Sequence, residues 1–448
     1  MGSFNQHFRY IFILAFLLRI ALPIASWLLN DGTQRFYQPD TSTYLRPATE
    51  WLNTGQFTTH NSPEILRPPG YSFFLLPGII TKWMVPLTIT LQIILSLITL
   101  YFTLCLTTQI TNSPKIKRSV GYLAAIEPIS IIYTSQLLTE TLFTTLVTAG
   151  LYTLLQAQTS RKKMILAAIL YACATYTRPI GYYLPIVLLI PLIYTRYPLK
   201  NLILFMLIAM GLPGLWQVRN YSVANYTSFS AISSINLYFY QAASVKAKVN
   251  DISFYDQQNQ QGYRNENIYL AAHPNQRNGS LAQRYEYMAS EGIKTLRQYP
   301  LIYTQIHLQG IIRTLFDPGA VDVLKMLNLY PKRGGLLGQI VDQGIFQTLW
   351  FLCLNYPLIF ICNIFLGFLL LCYYTFTILT FIRGFSSKKL PFVFCIVTCI
   401  YFILLSGGPQ SLNRFRHPIM PLITIFAGVG RSYFPPKLHS KSKNQNLE

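Results

Sequence analysis

The chain has 448 residues, of which 52% are hydrophobic and 11% charged, and its formal net charge is +21. Soluble domains carry about 25% charged residues. The apolar residues here come in runs approaching the roughly 20 needed to cross a hydrocarbon core, which excludes an ordinary soluble protein and identifies a polytopic membrane protein. The positive charge does not point to nucleic acid, because the lysines and arginines are scattered between apolar runs and build no basic face.

The first apolar run, about 8–29, lacks a small-residue cleavage site and reads as a retained span, not a signal peptide. Spans are expected near 8–29, 86–110, 119–134, 137–158, 164–178, 180–196, 201–218, 361–382, 391–407 and 417–433. The 346–382 region holds either one span behind an interfacial helix or two spans, and one is preferred. Alternate linkers are basic: Lys115, Lys117 and Arg118; Arg161, Lys162 and Lys163; Arg196 and Lys200; Arg383, Lys388 and Lys389. The tail 434–448 is basic too. These segments are assigned to the cytoplasm. Of the acids only Glu448 falls on that side. The seven cysteines show no metal or redox spacing and read as small apolar-face residues.

The division that follows is a transmembrane core 1–221 with a first outer loop at 30–85, an outer cap 222–345, C-terminal spans 346–433, and the cytoplasmic tail. Within the cap, 245–280 is rich in Gln, Asn and Tyr, and 281–316 has helical periodicity. No internal repeat is visible.

Chemistry-bearing residues gather on the outer side. In the first loop, Asp40 follows Pro39, and Tyr44, Ala48 and Leu52 continue at helical spacing, so Asp40 sits near a helix start where backbone amides can orient it. Its bland reading is a solvated turn residue. Arg67-Pro68-Pro69-Gly70-Tyr71 is a stiff turn; Arg67 either snorkels or is held toward an anionic head group. Arg178, Arg219, Arg414 and Arg416 each border an expected span. Outer-side arginines run against the positive-inside pattern, so several together suggest a shared anionic ligand such as a lipid phosphate. Glu127 and Glu140 lie at membrane depth and are pairing or functional candidates, with a salt bridge to an arginine as the bland reading. Arg19, midway in the first span, is a partner for such a group. His417 is an acid–base candidate or a polar anchor.

Taken in order, Pro39-Asp40-x3-Tyr44-x3-Ala48-x3-Leu52-x2-Gly55, Arg67-Pro-Pro-Gly-Tyr71, Leu138-Thr-Glu140-Thr-Leu-Phe143, Arg178-Pro-Ile-Gly181, Arg219-Asn-Tyr221 and Arg414-Phe-Arg416-x-Pro418-x2-Pro421 carry a family likeness. The set resembles the polyprenol-phosphate-sugar-dependent glycosyltransferases of the GT-C type, which include protein O-mannosyltransferases and bacterial aminoarabinose transferases. The resemblance implies an all-α GT-C-like bundle of about ten transmembrane helices, or eleven. It implies inverting transfer from a polyprenyl-phosphate sugar to a lipid, glycan or protein hydroxyl at the outer face of a bacterial cytoplasmic membrane. Asp40 would be the base; Arg67, Arg178, Arg219, Arg414 and Arg416 would be donor-phosphate ligands; Tyr44, Tyr71, Glu140 and His417 would support them. Expected partners are the lipid-linked donor, the acceptor and membrane lipids, with no nucleic acid. Many relatives carry a second acid directly after the first, where this chain has Thr41; no cofactor or metal is expected to be required. The competing readings are a lipid-linked oligosaccharide polymerase or ligase, and a flippase or transporter.

Overall fold

The computed structural model describes residues 2–30, 32–330, 345–384 and 389–433. The basic tail, the end of the expected cap at 331–344 and Lys388 lie outside the described residues. The chain is helical throughout apart from one two-stranded hairpin among the described residues.

Helix α1 (Gly2–Leu29) is followed by a short α2 (Thr41–Thr54), the hairpin of β1 (Thr58–Thr59) and β2 (Ser62–Pro63), and α3 (Gly70–Ile80). His60 and Asn61 both have positive φ, the conformation a two-residue hairpin turn requires. Then come α4 (Met84–Ile110), α5 (Pro114–Ala125), α6 (Pro128–Thr134), α7 (Glu140–Leu155), α8 (Arg161–Thr177), α9 (Leu184–Tyr194) and α10 (Leu199–Ala224). Four described helices are long and apolar enough to cross a membrane: Gln6–Leu29, Met84–Ile110, Leu199–Ala224 and Pro357–Ile382. They leave large apolar side chains such as Leu207, Leu215, Ile361 and Phe365 exposed, as a lipid-facing surface would.

The expected span at 119–134 is broken. Pro128 has no N–H to continue the helix of α5, so the chain restarts as α6. Both loose ends are satisfied by buried charge. Arg19 donates to the carbonyls of Ala124 at 3.3 Å and Ala125 at 2.9 Å, closing α5. Glu127 accepts from the amides of Ile129 and Ser130 at 2.9 and 2.6 Å, opening α6. Two ionisable groups at membrane depth are thus explained as helix caps.

The cap begins with α11 (Ile232–Ile235), continues without a break through a π-helix (Asn236–Ala242) into α12 (Ala243–Val249), and adds α13 (Phe254–Gln260) and α14 (Glu266–Ala272). The periodic stretch 281–316 forms two helices, α15 (Leu281–Gln298) and α16 (Pro300–Phe316), parted at Pro300. After α17 (Ala320–Met326), α18 (Ile345–Asn355) has 11 residues and reaches about 16 Å, roughly half a hydrocarbon core. Helix α19 (Pro357–Ile382) has 26. Helix α20 (Lys389–Leu405) leads to a 3-10 segment, Asn413–Ile419, and α21 (Met420–Arg431). Helix α21 is buried along nearly its whole length and packs so closely on α19 that a side chain at Gly430 would strike the Phe376 carbonyl.

Candidate active site

The first loop is folded by its own polar side chains. Thr41 donates to the Leu137 carbonyl at 2.8 Å and accepts from the Gln38 amide at 2.9 Å. The Leu137 amide in turn reaches Phe36 O at 2.9 Å, so the start of α2 is pinned to the turn before α7. Thr41 is 1% exposed, and its position needs a donor, which a carboxylate is not. This is a physical reason for threonine directly after Asp40.

Asp40 immediately precedes α2, but its carboxylate makes no cap bond. It faces two guanidiniums instead. Oδ1 meets Arg67 Nη2 at 3.1 Å and Oδ2 meets Arg414 Nη1 at 2.9 Å. The sequence suggested orientation by backbone amides; charged partners are stronger competitors for a carboxylate and take it. Burial pushes the Asp40 carboxyl up, but Arg67 and Arg414 outweigh it and hold it below the usual carboxylate range.

Arg67 is fixed from three directions. Its Nε donates to Thr43 Oγ1 at 3.1 Å, and its guanidinium lies 4.9 Å from the centre of the Tyr44 ring. Its backbone amide, with that of Leu66, donates to the buried Glu64 carboxylate at 2.8 and 2.6 Å. Tyr44 stands edge-on to Tyr71, whose hydroxyl donates to Gln92 at 2.9 Å. Gly70 lets this turn touch α8: a Cβ there would sit 2.7 Å from the Tyr176 backbone. The turn carrying Arg67 is therefore seated beside the end of α8 that carries Arg178.

Arg178 pairs with Glu140 at 2.7 Å, with only 11% and 2% of the two side chains exposed. Phe415 lies between cations, its ring 5.6 Å from the Arg178 guanidinium and 5.2 Å from that of Arg414. Arg414 Nε is buried without a hydrogen-bond partner among the described residues. The group thus holds three arginines and two carboxylates, a surplus of one positive charge.

Two other arginines do not contact this group. Arg219 donates to Glu64 O at 2.6 Å and Phe57 O at 2.8 Å and lies against Trp216, bracing the loop behind Arg67. Arg416 is 1% exposed and donates to Thr314 O, Leu315 O and Asp317 O at 2.6, 2.7 and 2.8 Å, closing the end of α16. Both were expected to bind phosphate; in the structure these nitrogens are taken up by backbone carbonyls. His417 is buried, with Nδ1 3.0 Å from Thr144 Oγ1 and its ring against Tyr133.

Sequence reading passed over Glu64, Tyr133 and Asp322. Tyr133 donates to Asn413 Oδ1 at 2.5 Å, and Asn413 Nδ2 donates to Asp322 at 2.7 Å, fixing the residue next to Arg414. Glu64 had a local signal, a carboxylate three residues ahead of a proline turn. Asp322 had none, since its partner is 91 positions away. Among the described residues no three His, Cys, Asp or Glu cluster as a metal site would require.

No family model and no curated protein matches the sequence. Solved structures do. The Archaeoglobus fulgidus oligosaccharyltransferase tethered with an acceptor peptide containing the NVT sequon is 14% identical, with a TM-score of 0.52 over 97% of this chain and 50% of that one. The same enzyme in its apo form gives 13% and 0.50 over 95% and 50%. ArnT from Cupriavidus metallidurans bound to undecaprenyl phosphate gives 12% and 0.46 over 94% and 60%. The chain spans about half the length of the oligosaccharyltransferase it matches. Apolar helices and this likeness together describe a multi-pass membrane protein with the GT-C fold.

Proposed function

We propose that the protein is an inverting membrane glycosyltransferase that moves a sugar from a polyprenyl-phosphate donor to a hydroxyl at the outer face of a bacterial cytoplasmic membrane. The observation that carries this reading is the carboxylate of Asp40 shared between Arg67 and Arg414. Asp40 is the base, and Arg67 and Arg414, with Arg178 behind them, receive the donor phosphate.

A carboxylate clamped by two guanidiniums is a poor base, because its charge is already stabilised. A bound phosphodiester competes for the same two arginines and frees Asp40. In the transfer step the acceptor oxygen bonds to the anomeric carbon, the carbon–oxygen bond to phosphate breaks, and the leaving phosphate keeps the electron pair. The acceptor proton passes to Asp40. Negative charge lost at Asp40 is gained at the phosphate, which the two arginines already hold. Interactions that strengthen as this charge develops lower the barrier. Attack opposite the phosphate inverts the anomeric centre and needs only one carboxylate.

The test is transfer by purified protein in lipid nanodiscs, with radiolabelled sugars on undecaprenyl monophosphate and on undecaprenyl diphosphate. Transfer from the monophosphate that is lost in Asp40→Asn is expected. Use of the diphosphate alone favours the ligase reading, and near-wild-type turnover by Asp40→Asn refutes Asp40 as base.

A further inference from the structure

Two backbone anomalies in the cap converge on one pair of side chains. The cap helix springs from the loop beside Arg67: the Ala231 amide donates to Ile65 O at 2.9 Å and Ser230 Oγ donates to Leu66 O at 2.5 Å. From there it enters the π-helix Asn236–Ala242. π-helical turns are rare and concentrate at functional sites, because the extra residue re-aims the side chains that follow. Tyr240 lies within this segment, close enough to Asp40 to feel its charge weakly. Gly292 of α15 presses against Leu237, so the bulged segment is clamped from behind.

The second anomaly is the turn Gly262-Tyr263-Arg264. Gly262 has φ +79°, and a side chain there would strike the Tyr269 backbone at 2.3 Å. Arg264 has φ 61°, a conformation in which L side chains are uncommon. Strained backbone persists where the surroundings over-determine it and often marks a site. What this turn does is hold Tyr263 against Tyr240, hydroxyl to hydroxyl at 2.5 Å. Both rings are half-buried: Tyr240 also packs on Phe254, and Tyr263 on Phe239 and the Arg264 guanidinium. A phenol donates once and accepts as well. One bond between the two leaves a donor and acceptors free.

We infer that Tyr240 and Tyr263 form a saccharide-recognition wall on the cap side of the Asp40 site, an inference that rests on the glycosyl-transfer reading. Their free hydroxyl functions contact sugar hydroxyls. The sugar is either the one carried by the donor or one belonging to the acceptor.

The experiment uses the full chain in nanodiscs with Tyr240→Phe and Tyr263→Phe, which keep the rings. Binding is measured for bare undecaprenyl phosphate and for its glucose, mannose and arabinose conjugates, and transfer to p-nitrophenyl glycosides is followed. Wall contacts with the donor sugar predict an affinity loss of about tenfold for a conjugate, with bare lipid unchanged within about twofold. Wall contacts with the acceptor predict unchanged lipid affinities and a raised KM for the glycoside. Full affinity and unchanged KM in both variants overturn the wall. Wild-type protein that binds no form of the lipid overturns the donor reading itself. A melting temperature equal to wild type in the Phe variants separates lost recognition from lost folding.

Discussion

Arg414 and Asp40 are 374 positions apart in the chain and meet at 2.9 Å. The contact ties the 3-10 segment before α21 to the first loop. It also sets the balance of the site, since the proposed base is masked by the groups proposed to hold the donor.

Removing the masking charge has a sign that a merely structural aspartate would not give. Asp40→Asn is expected to cut turnover by about 10²–10⁴, the range for loss of a general base. Binding of bare undecaprenyl phosphate is expected to hold or tighten, because Arg67 and Arg414 lose their competing anion. Tryptophan-fluorescence titration reads the binding arm; a weaker affinity counts against the competition.

Arg67→Ala and Arg414→Ala are each expected to weaken donor affinity by about tenfold or more, as for one hydrogen bond to a charged group. Lysine at either position restores charge without the planar fork and is expected to recover only part of the loss. An unchanged donor KM in both alanine variants removes them from the phosphate site.

Arg416→Ala separates scaffold from site. It strips three carbonyls at the end of α16 of their donor. The expected loss is about 3 kcal/mol of stability, seen as a lower melting temperature, with donor affinity of the folded fraction unchanged. Reduced affinity at full stability would return Arg416 to the ligand set.

The Arg178–Glu140 pair is nearly buried, so breaking it by Arg178→Met leaves a carboxylate stranded, at a cost of about 3–5 kcal/mol. Adding Glu140→Met is expected to recover much of that stability, a non-additive result in a double-mutant cycle. Additive losses would mean that the two groups act independently.

Asp40 also predicts a pH signature. Its carboxyl is held below the ordinary value of 3.8 in the folded chain. Its ion pairs therefore contribute stability above that ordinary value, lost as pH falls through the lowered one. The melting-temperature difference between wild type and Asp40→Asn is expected to be flat near neutrality and to shrink only below about pH 4. A difference that disappears near pH 6 would contradict the pairing.

Much of this arrangement was legible from local pattern. The apolar runs announced the helices, Asp40 stood out by its place near a helix start, and Arg67, Arg178 and Arg414 as cations on the side where topology disfavours them. What sequence did not separate was Arg414 from Arg416, since both border the same span and carry the same charge. Their difference is rotational and depends on which face of one turn meets α16. The break at Glu127-Pro128 was visible as letters, but its repair by Arg19 depends on a contact 106 positions long. The Tyr240–Tyr263 pair was hidden because neither the π-helix nor the left-handed Arg264 has a local signature.

The 3-10 segment Asn413–Ile419 turns about once every three residues, so side chains two apart leave on different sides. Arg414 leaves toward Asp40 and Arg416 toward the end of α16. One turn of backbone therefore works as a rivet through both cap and site. The cap cannot swing away on α16 without pulling Arg414 off Asp40. If the donor phosphate is held at Arg414 as proposed, its arrival would bear on α16 as well, through the same turn.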